Sequence, residues 1–355
     1  MSLLGATALR TLLPAAILIA GGLLVVTFGA GFHARVAYVF YCNLVIVLGL
    51  QVFMGNSNVV NLGHIAFAGI AGYVVAILHT PVAVKAAMIG QAPFGLAGVE
   101  LDALSASLIA LGITGIVALV SGLALVRLSG VAATIGTLAL LVIVHVVLVN
   151  WISLTRGPRA FFGIPVSLGL PWAIGGAVLA VFVAKWFRES RDGVQLRASG
   201  DNLLAARAMG VNVERLRLKA WVLGALLCGA GGILFTLYMG TISPNSFYFN
   251  LTFLTVAMLI LGGMRSVSGA VTGAIVVAVG FEVFRGLENG PVVLGIKLPE
   301  MFGLTGFFLG TVIVLSLTLR PSGLLANEEF EDYWRRLRAW SRGRARRRGN
   351  PVEPD

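Results

Sequence analysis

One of the four histidines in this chain, His64, sits in the stretch LGHIAFAGIAGY, residues 62–73. A neutral imidazole donates one hydrogen bond and accepts another, and it changes charge close to physiological pH. Around it Gly63, Gly69 and Gly72 stand where an ordinary apolar helix carries Leu or Val, and Phe67 adds a flat apolar ring. Small residues let backbones approach closely, and glycine-interrupted apolar segments mark transport paths through membranes. Two readings stay open. Gly63, His64, Phe67, Gly69 and Gly72 line a path, or they form the seam of a tightly packed helix pair.

Other chemistry is excluded by missing motifs. There is no G-x-x-x-x-G-K-[ST] phosphate loop, and GALLCGAGG, residues 224–232, lacks the lysine that would reach a phosphate. Neither an H-E-x-x-H zinc motif nor a G-x-S-x-G elbow occurs, and His33, His79 and His145 lie in separate segments. His145, within LVIVHVVLVN, reads as a core histidine. Cys42 and Cys228 both fall in apolar runs, which gives small buried hydrophobes rather than a disulfide framework. Ionisable residues are scarce inside the apolar segments, where each charge costs roughly 2.5–3.5 kcal/mol to insert. Lys185, Glu282 and Arg285 lie near segment ends, and Glu282 with Arg285 can pair at i, i+3. A proton or sodium relay is poorly supplied, so transport through this chain is either driven from outside it or passive. The sequence supplies no cofactor site and no metal site, and the reading is of a transport protein rather than an enzyme.

The elements that position these residues follow from composition. Hydrophobic residues make up 58% of the 355 and charged residues 12%, against about 25% charged in a soluble domain. The mean hydropathy is +0.93. The expected fold is all-α, a polytopic integral membrane protein of about ten transmembrane helices, some short or broken. The spans are expected near 12–31, 36–54, 59–78, 103–126, 131–150, 168–187, 218–240, 248–264, 267–285 and 301–319. The net charge of +11 reports orientation rather than a nucleic-acid partner. The loop 188–217 is rich in arginine whereas the loop 79–102 has only Lys85, which places the former and both termini in the cytoplasm. Residues 1–327 then form the membrane domain and 328–355 a charged cytoplasmic tail.

Three segments between spans carry further information. The centre of the basic loop, Asp201 to Gly210, suits a short helix with a polar start and a glycine stop, offering Leu203, Leu204, Ala206 and Met209 as an apolar face. It is either a solvated surface helix or an element shaped for a partner's groove. GGMRSVSGAVTGA, residues 262–274, demands a tight bend, either a cytoplasmic turn or a re-entrant hairpin around Arg265. In the tail, Trp334, Leu337 and Trp340 can share one helix face among arginines, which suits the anionic inner leaflet; the alternative is a solvated tail that fixes orientation. Truncation after Asn327 is then expected to leave transport intact.

These segments, in this order, resemble the permease subunits of ABC importers for branched-chain amino acids, specifically the LivM type. The resemblance rests on LGHIAFAGIAGY, LTRGPRAFFGIP at residues 154–165, the loop with Ala206 and Gly210 followed by AWVLGALLCGAGGILFTLYMGTISP, the glycine-rich 262–274, and RPSGLL at 320–325. Asn61 stands where the family usually has serine, Met264 and Arg265 interrupt a glycine-rich run, and Ala270 replaces proline. The resemblance implies a bacterial inner-membrane permease with a LivH-type partner permease, two ATP-binding subunits that hold ATP and Mg, a periplasmic binding protein, and surrounding lipid. It implies that Ala205, Ala206, Arg207, Met209 and Gly210 couple to an ATPase. Hydrophobic amino acids are the implied substrate; a urea or short-amide importer and an ATP-independent facilitator are the alternatives.

Overall fold

A computed structural model describes residues 11, 14–23, 31–90, 92–288, 290, 292–293, 296–297, 303–319, 323–325 and 329. It is all-α apart from two-residue strand pairs. The helices are α1 (Pro14–Leu23), α2 (Gly31–Ser57), α3 (His64–His79), α4 (Val82–Ile89), α5 (Ala103–Leu125), α6 (Gly130–Asn150), α7 (Ile152–Thr155) and α8 (Leu170–Glu189). They continue as α9 (Arg191–Asp201), α10 (Leu203–Ala208), α11 (Val213–Met239), α12 (Phe249–Gly262), α13 (Val267–Glu288) and α14 (Leu304–Leu319). Among the described residues seven helical segments are long and apolar enough to cross a membrane, or eight if the bent pair α3 and α4 is one span. The remaining two of the ten expected spans correspond to the shorter α1 and α14. The tail residues Trp334, Leu337 and Trp340 lie outside the described residues.

Helices α2, α3 and α11 make the centre, and small residues explain how close they come. A Cβ on Gly49 would lie 2.7 Å from the Gly224 carbonyl oxygen, and one on Gly224 would lie 2.6 Å from that of Gly49, so α2 and α11 cross backbone to backbone. At Gly232 a Cβ would sit 2.2 Å from the Ala68 oxygen on α3. GALLCGAGG is thus a packing surface, since without water to drive apolar association helices in lipid gain most from close contact. Helix α5 buries only Ala106, Ala110, Thr114, Ala118 and Gly122, one stripe at four-residue spacing, and exposes Leu104, Leu108, Ile116 and Val120 on the face left for lipid.

The span expected at 59–78 starts later, at His64, because residues 58–63 break the helix. Asn58 adopts φ 55°, the Gly63 N–H donates to Asn61 Oδ1 at 2.8 Å, and the Leu62 N–H donates to Thr137 Oγ1 at 3.1 Å. Side chains therefore satisfy backbone groups that the helix leaves unpaired. At its other end α3 turns by 117° into α4, and Lys85 stitches the bend: its buried Nζ donates to the carbonyls of Ile77 (3.0 Å), Leu96 (3.1 Å) and Val99. The only cation of loop 79–102 is thereby a structural donor.

The glycine-rich 262–274 forms a turn at 263–266 between two packed helices. A Cβ on Gly273 would fall 2.0 Å from the Met258 oxygen, and one on Gly262 would fall 1.9 Å from that of Gly269.

Candidate functional site

The residues singled out around His64 come together as a seam. His64 is buried, and its Nε2 lies 2.7 Å from Thr255 Oγ1 on α12. That hydroxyl donates to the Leu251 carbonyl at 2.8 Å, which leaves it to accept from an Nε2–H. The imidazole Nδ1 is buried with no hydrogen-bond partner among the described residues. Phe67 meets Trp221 edge-on, with centroids 5.5 Å apart. A Cβ on Gly63 would lie 2.4 Å from the Thr137 oxygen, while Cβ atoms on Gly69 and Gly72 would press on Phe247 at 3.2 and 3.0 Å. His145 stacks on Tyr248 with centroids 3.7 Å apart.

At one end of the bundle the short helix expected over 201–210 is present as α10, and a second helix not expected there, α9, precedes it. The Asn202 side chain accepts from the Ala205 N–H at 3.0 Å and starts α10 afresh. Gly210, at φ 79°, then turns the chain toward α11. Leu204 and Met209 are 79% and 84% exposed, and Ala205, Arg207 and Gly210 are exposed beside them. Ala206 is buried, so it supports this surface from within and does not present itself to a partner. Arg207 pairs with Glu214 at 2.5 Å.

The same end is tied down by charge. Arg197 donates to Asn56 Oδ1 at the end of α2 (3.0 Å) and to the Arg188 carbonyl (2.6 Å), while Arg265 pairs with Asp201. Glu329, two residues beyond the boundary expected at 327, is buried in this cluster. Its carboxylate accepts from the Val267 and Ser268 N–H groups at 2.9 and 3.1 Å, where it caps α13, and pairs with Arg188 (3.2 Å) and Lys185 (3.8 Å). Burial pushes its pKa up, but Arg188, Lys185, the Ser268 hydroxyl and the Val267 N–H together bring it below the usual carboxylate range.

At the opposite end a cavity of about 750 Å³ opens between α2, α11, α12, α13 and α14. Its wall is apolar, with Phe40, Phe235, Leu254, Met258 and Ala278; Arg35, Asn250, Glu282 and Arg285 stand toward the helix ends, and Asn43 sits deeper. From Arg35 to Asn43 is eight residues of helix, a descent of about 12 Å. Glu282 and Arg285 do pair, at 3.6 Å.

Residues 32–317 match the family described as the permease component of the branched-chain amino acid transport system. The chain belongs to this permease family. It is 25% identical over 320 residues to the high-affinity branched-chain amino acid transport system permease protein LivM of Escherichia coli K12, covering 79% of this chain and 67% of that protein. To the LivH permease protein of Salmonella typhimurium it is 26% identical over 204 residues, 51% of this chain and 61% of that one. The autoinducer 2 import system permease protein LsrC of Enterobacter sp. strain 638 is 32% identical over 162 residues, 44% of this chain and 46% of that one. No solved structure matches the chain. Family and helices together make it a multi-pass membrane permease of the ABC transport class.

Sequence reasoning singled out the exposed α10 surface and the glycines around His64 but missed the cavity. Arg35, Asn43 and Asn250 are ordinary polar residues in apolar helices, and only the convergence of five helices gives them a common space. The pairing of Glu282 with Arg285 was the one readable signal at its rim.

Proposed function

We propose that this permease is the LivM-type subunit of an ATP-driven, binding-protein-dependent importer of branched-chain, hydrophobic amino acids. The observation that carries the reading is the apolar cavity at the end of the bundle opposite the basic loop, joined to a family of branched-chain-type permeases. The arginine-rich end faces the cytoplasm, with both termini, and the cavity faces the periplasm of a bacterial inner membrane. The membrane domain runs to about residue 327, with Glu329 held on it by Arg188 and Lys185 and a charged tail beyond.

The partners in this scheme are a LivH-type permease, two ATP-binding subunits that hold ATP and Mg, and a periplasmic binding protein that delivers substrate. Ala205, Arg207, Met209 and Gly210, with Leu204, form the contact to one ATPase, and Ala206 holds α10 in place beneath them. Closure of the ATPase pair pushes on α10 and α9. Gly63, His64, Phe67, Gly69 and Gly72 act as the seam about which α3 moves against α11 and α12. No cofactor is assigned to this chain.

The deciding experiment is uptake of labelled leucine, with urea in parallel, by proteoliposomes holding this chain and its co-expressed partners. ATP-dependent leucine uptake that requires the binding protein is the expected result. Urea uptake alone would move the assignment to the amide importers, and equal uptake without ATP would leave a facilitator.

A further inference from the structure

The cavity wall alone would suit any apolar solute, but its polar groups are more selective. Both signs of charge stand among them. Arg35 makes no ion pair with a described residue, and Glu282 and Arg285 form a half-exposed pair at 3.6 Å, an arrangement held weakly in water and open to exchange. Deeper, Asn43 is only 7% exposed and its amide makes no hydrogen bond to a described residue. A buried amide left without partners is costly unless something else supplies them, and here it borders open space. Phe40, Leu254 and Met258 supply apolar surface to the same cavity.

We propose that this cavity is a binding station for the zwitterionic head of an α-amino acid, Arg35 receiving the carboxylate and Glu282 the ammonium, with an aliphatic side chain against Phe40, Leu254 and Met258. The inference rests on the importer reading and deepens it, since it places part of the substrate selection in the membrane subunit. A planar guanidinium matches a carboxylate through two parallel N–H donors, and a carboxylate suits an ammonium. Glu282 exchanges Arg285 for the ligand's ammonium, so net charge in the rim is kept when substrate is present. Asn43 offers both a donor and an acceptor about 12 Å further in, which gives either end of the head group a next position along the helix. A neutral solute such as urea uses neither charge, and a simple organic anion or cation uses one.

The test uses the permease with its partner subunits in lipid nanodiscs, without the binding protein, and measures displacement of tritiated leucine. Competitors are leucine, 4-methylpentanoate, isopentylamine and urea. Leucine is expected to compete at least tenfold better than either singly charged analogue. Glu282→Gln should lower leucine to the level of 4-methylpentanoate, Arg35→Gln should lower it to the level of isopentylamine, and Arg35→Lys should restore part of the loss. Unchanged thermal stability and unchanged assembly of the variants with their partner subunits separate a ligand contact from misfolding. Equal competition by all four compounds, an unaltered ranking in both glutamine variants, or no saturable leucine binding would overturn the proposal. In each of those cases ATP-dependent leucine uptake with the binding protein restored would leave the importer reading standing; its loss in the wild type would remove that reading instead.

Discussion

Replacing Glu329 with alanine should cost this permease more than almost any other change near its carboxyl end. The side chain is 6% exposed and faces Lys185 at 2% and Arg188 at 18%, so the deletion leaves cations with little water to compensate them. Breaking a buried ion pair by removing one partner costs about 3–5 kcal/mol. The first N–H groups of α13, on Val267 and Ser268, lose their acceptor in the same step. At about 2 °C per kcal/mol for a chain of this size, the melting temperature in detergent should fall by about 6–10 °C. Glu329→Gln keeps one acceptor oxygen and should cost about half as much. Truncation after Asn327 removes the carboxylate and should match Glu329→Ala, whereas truncation after Phe330 should not, which reverses the expectation that everything past 327 is dispensable. The effect has a defined pH sense. Because the folded pKa lies below the unfolded value near 4.3, the contribution is complete at neutral pH and disappears as pH falls through the folded value, so wild type and Glu329→Ala should converge in strong acid. A variant that melts within about 1 °C of wild type at pH 7 would refute the reasoning.

Three further outcomes are expected. Met209→Asp and Leu204→Asp, both at exposed positions, should reduce stimulated ATPase activity several-fold without lowering the melting temperature, while Ala206→Leu should lower both because its site is filled; equal effects from all three would deny α10 a docking role. Gly232→Ala puts a methyl group 2.2 Å from the Ala68 oxygen and should destabilise by about 1–3 kcal/mol, measured as thermal unfolding in lipid or detergent. His64→Ala and Thr255→Val should each destabilise, with a coupling of about 0.5–1.5 kcal/mol in a double-mutant cycle; additivity would mean that the 2.7 Å contact contributes nothing.

The helices were legible because lipid imposes a length and an apolar composition that any reader of hydropathy can find. Each of the ten expected spans begins or ends within a few residues of a described helix, and the late start of one of them is instructive. The span at 59–78 begins late because Asn58, Asn61 and Thr137 build a turn out of side-chain hydrogen bonds, and a window average cannot register which neighbour an asparagine will reach. The polar start and the stop at Gly210 were readable from residue type, but the helix α9 that precedes them was not. His64 was found by its rarity, yet its partner Thr255 is 191 residues away and carries no mark in the sequence. Glu329 sits in the acidic run EEFED, where composition suggests water, and only the approach of Lys185 and Arg188 turns it into an interior residue. Long-range convergence, rather than local preference, hid the roles of Thr137, Thr255 and Glu329.

Helix α2 has its amino-terminal half beside the cavity and its opposite end, at Asn56, hydrogen-bonded to Arg197 of α9. At 1.5 Å per residue its 27 residues form a rod of about 40 Å. A rotation of about 5° around the Asn56 end sweeps the far tip through about 3.5 Å, more than the diameter of a water molecule. On the importer reading proposed above, the rod would act as a lever: a small tilt at the loop end would become a displacement at the cavity end comparable to the width of a small side chain.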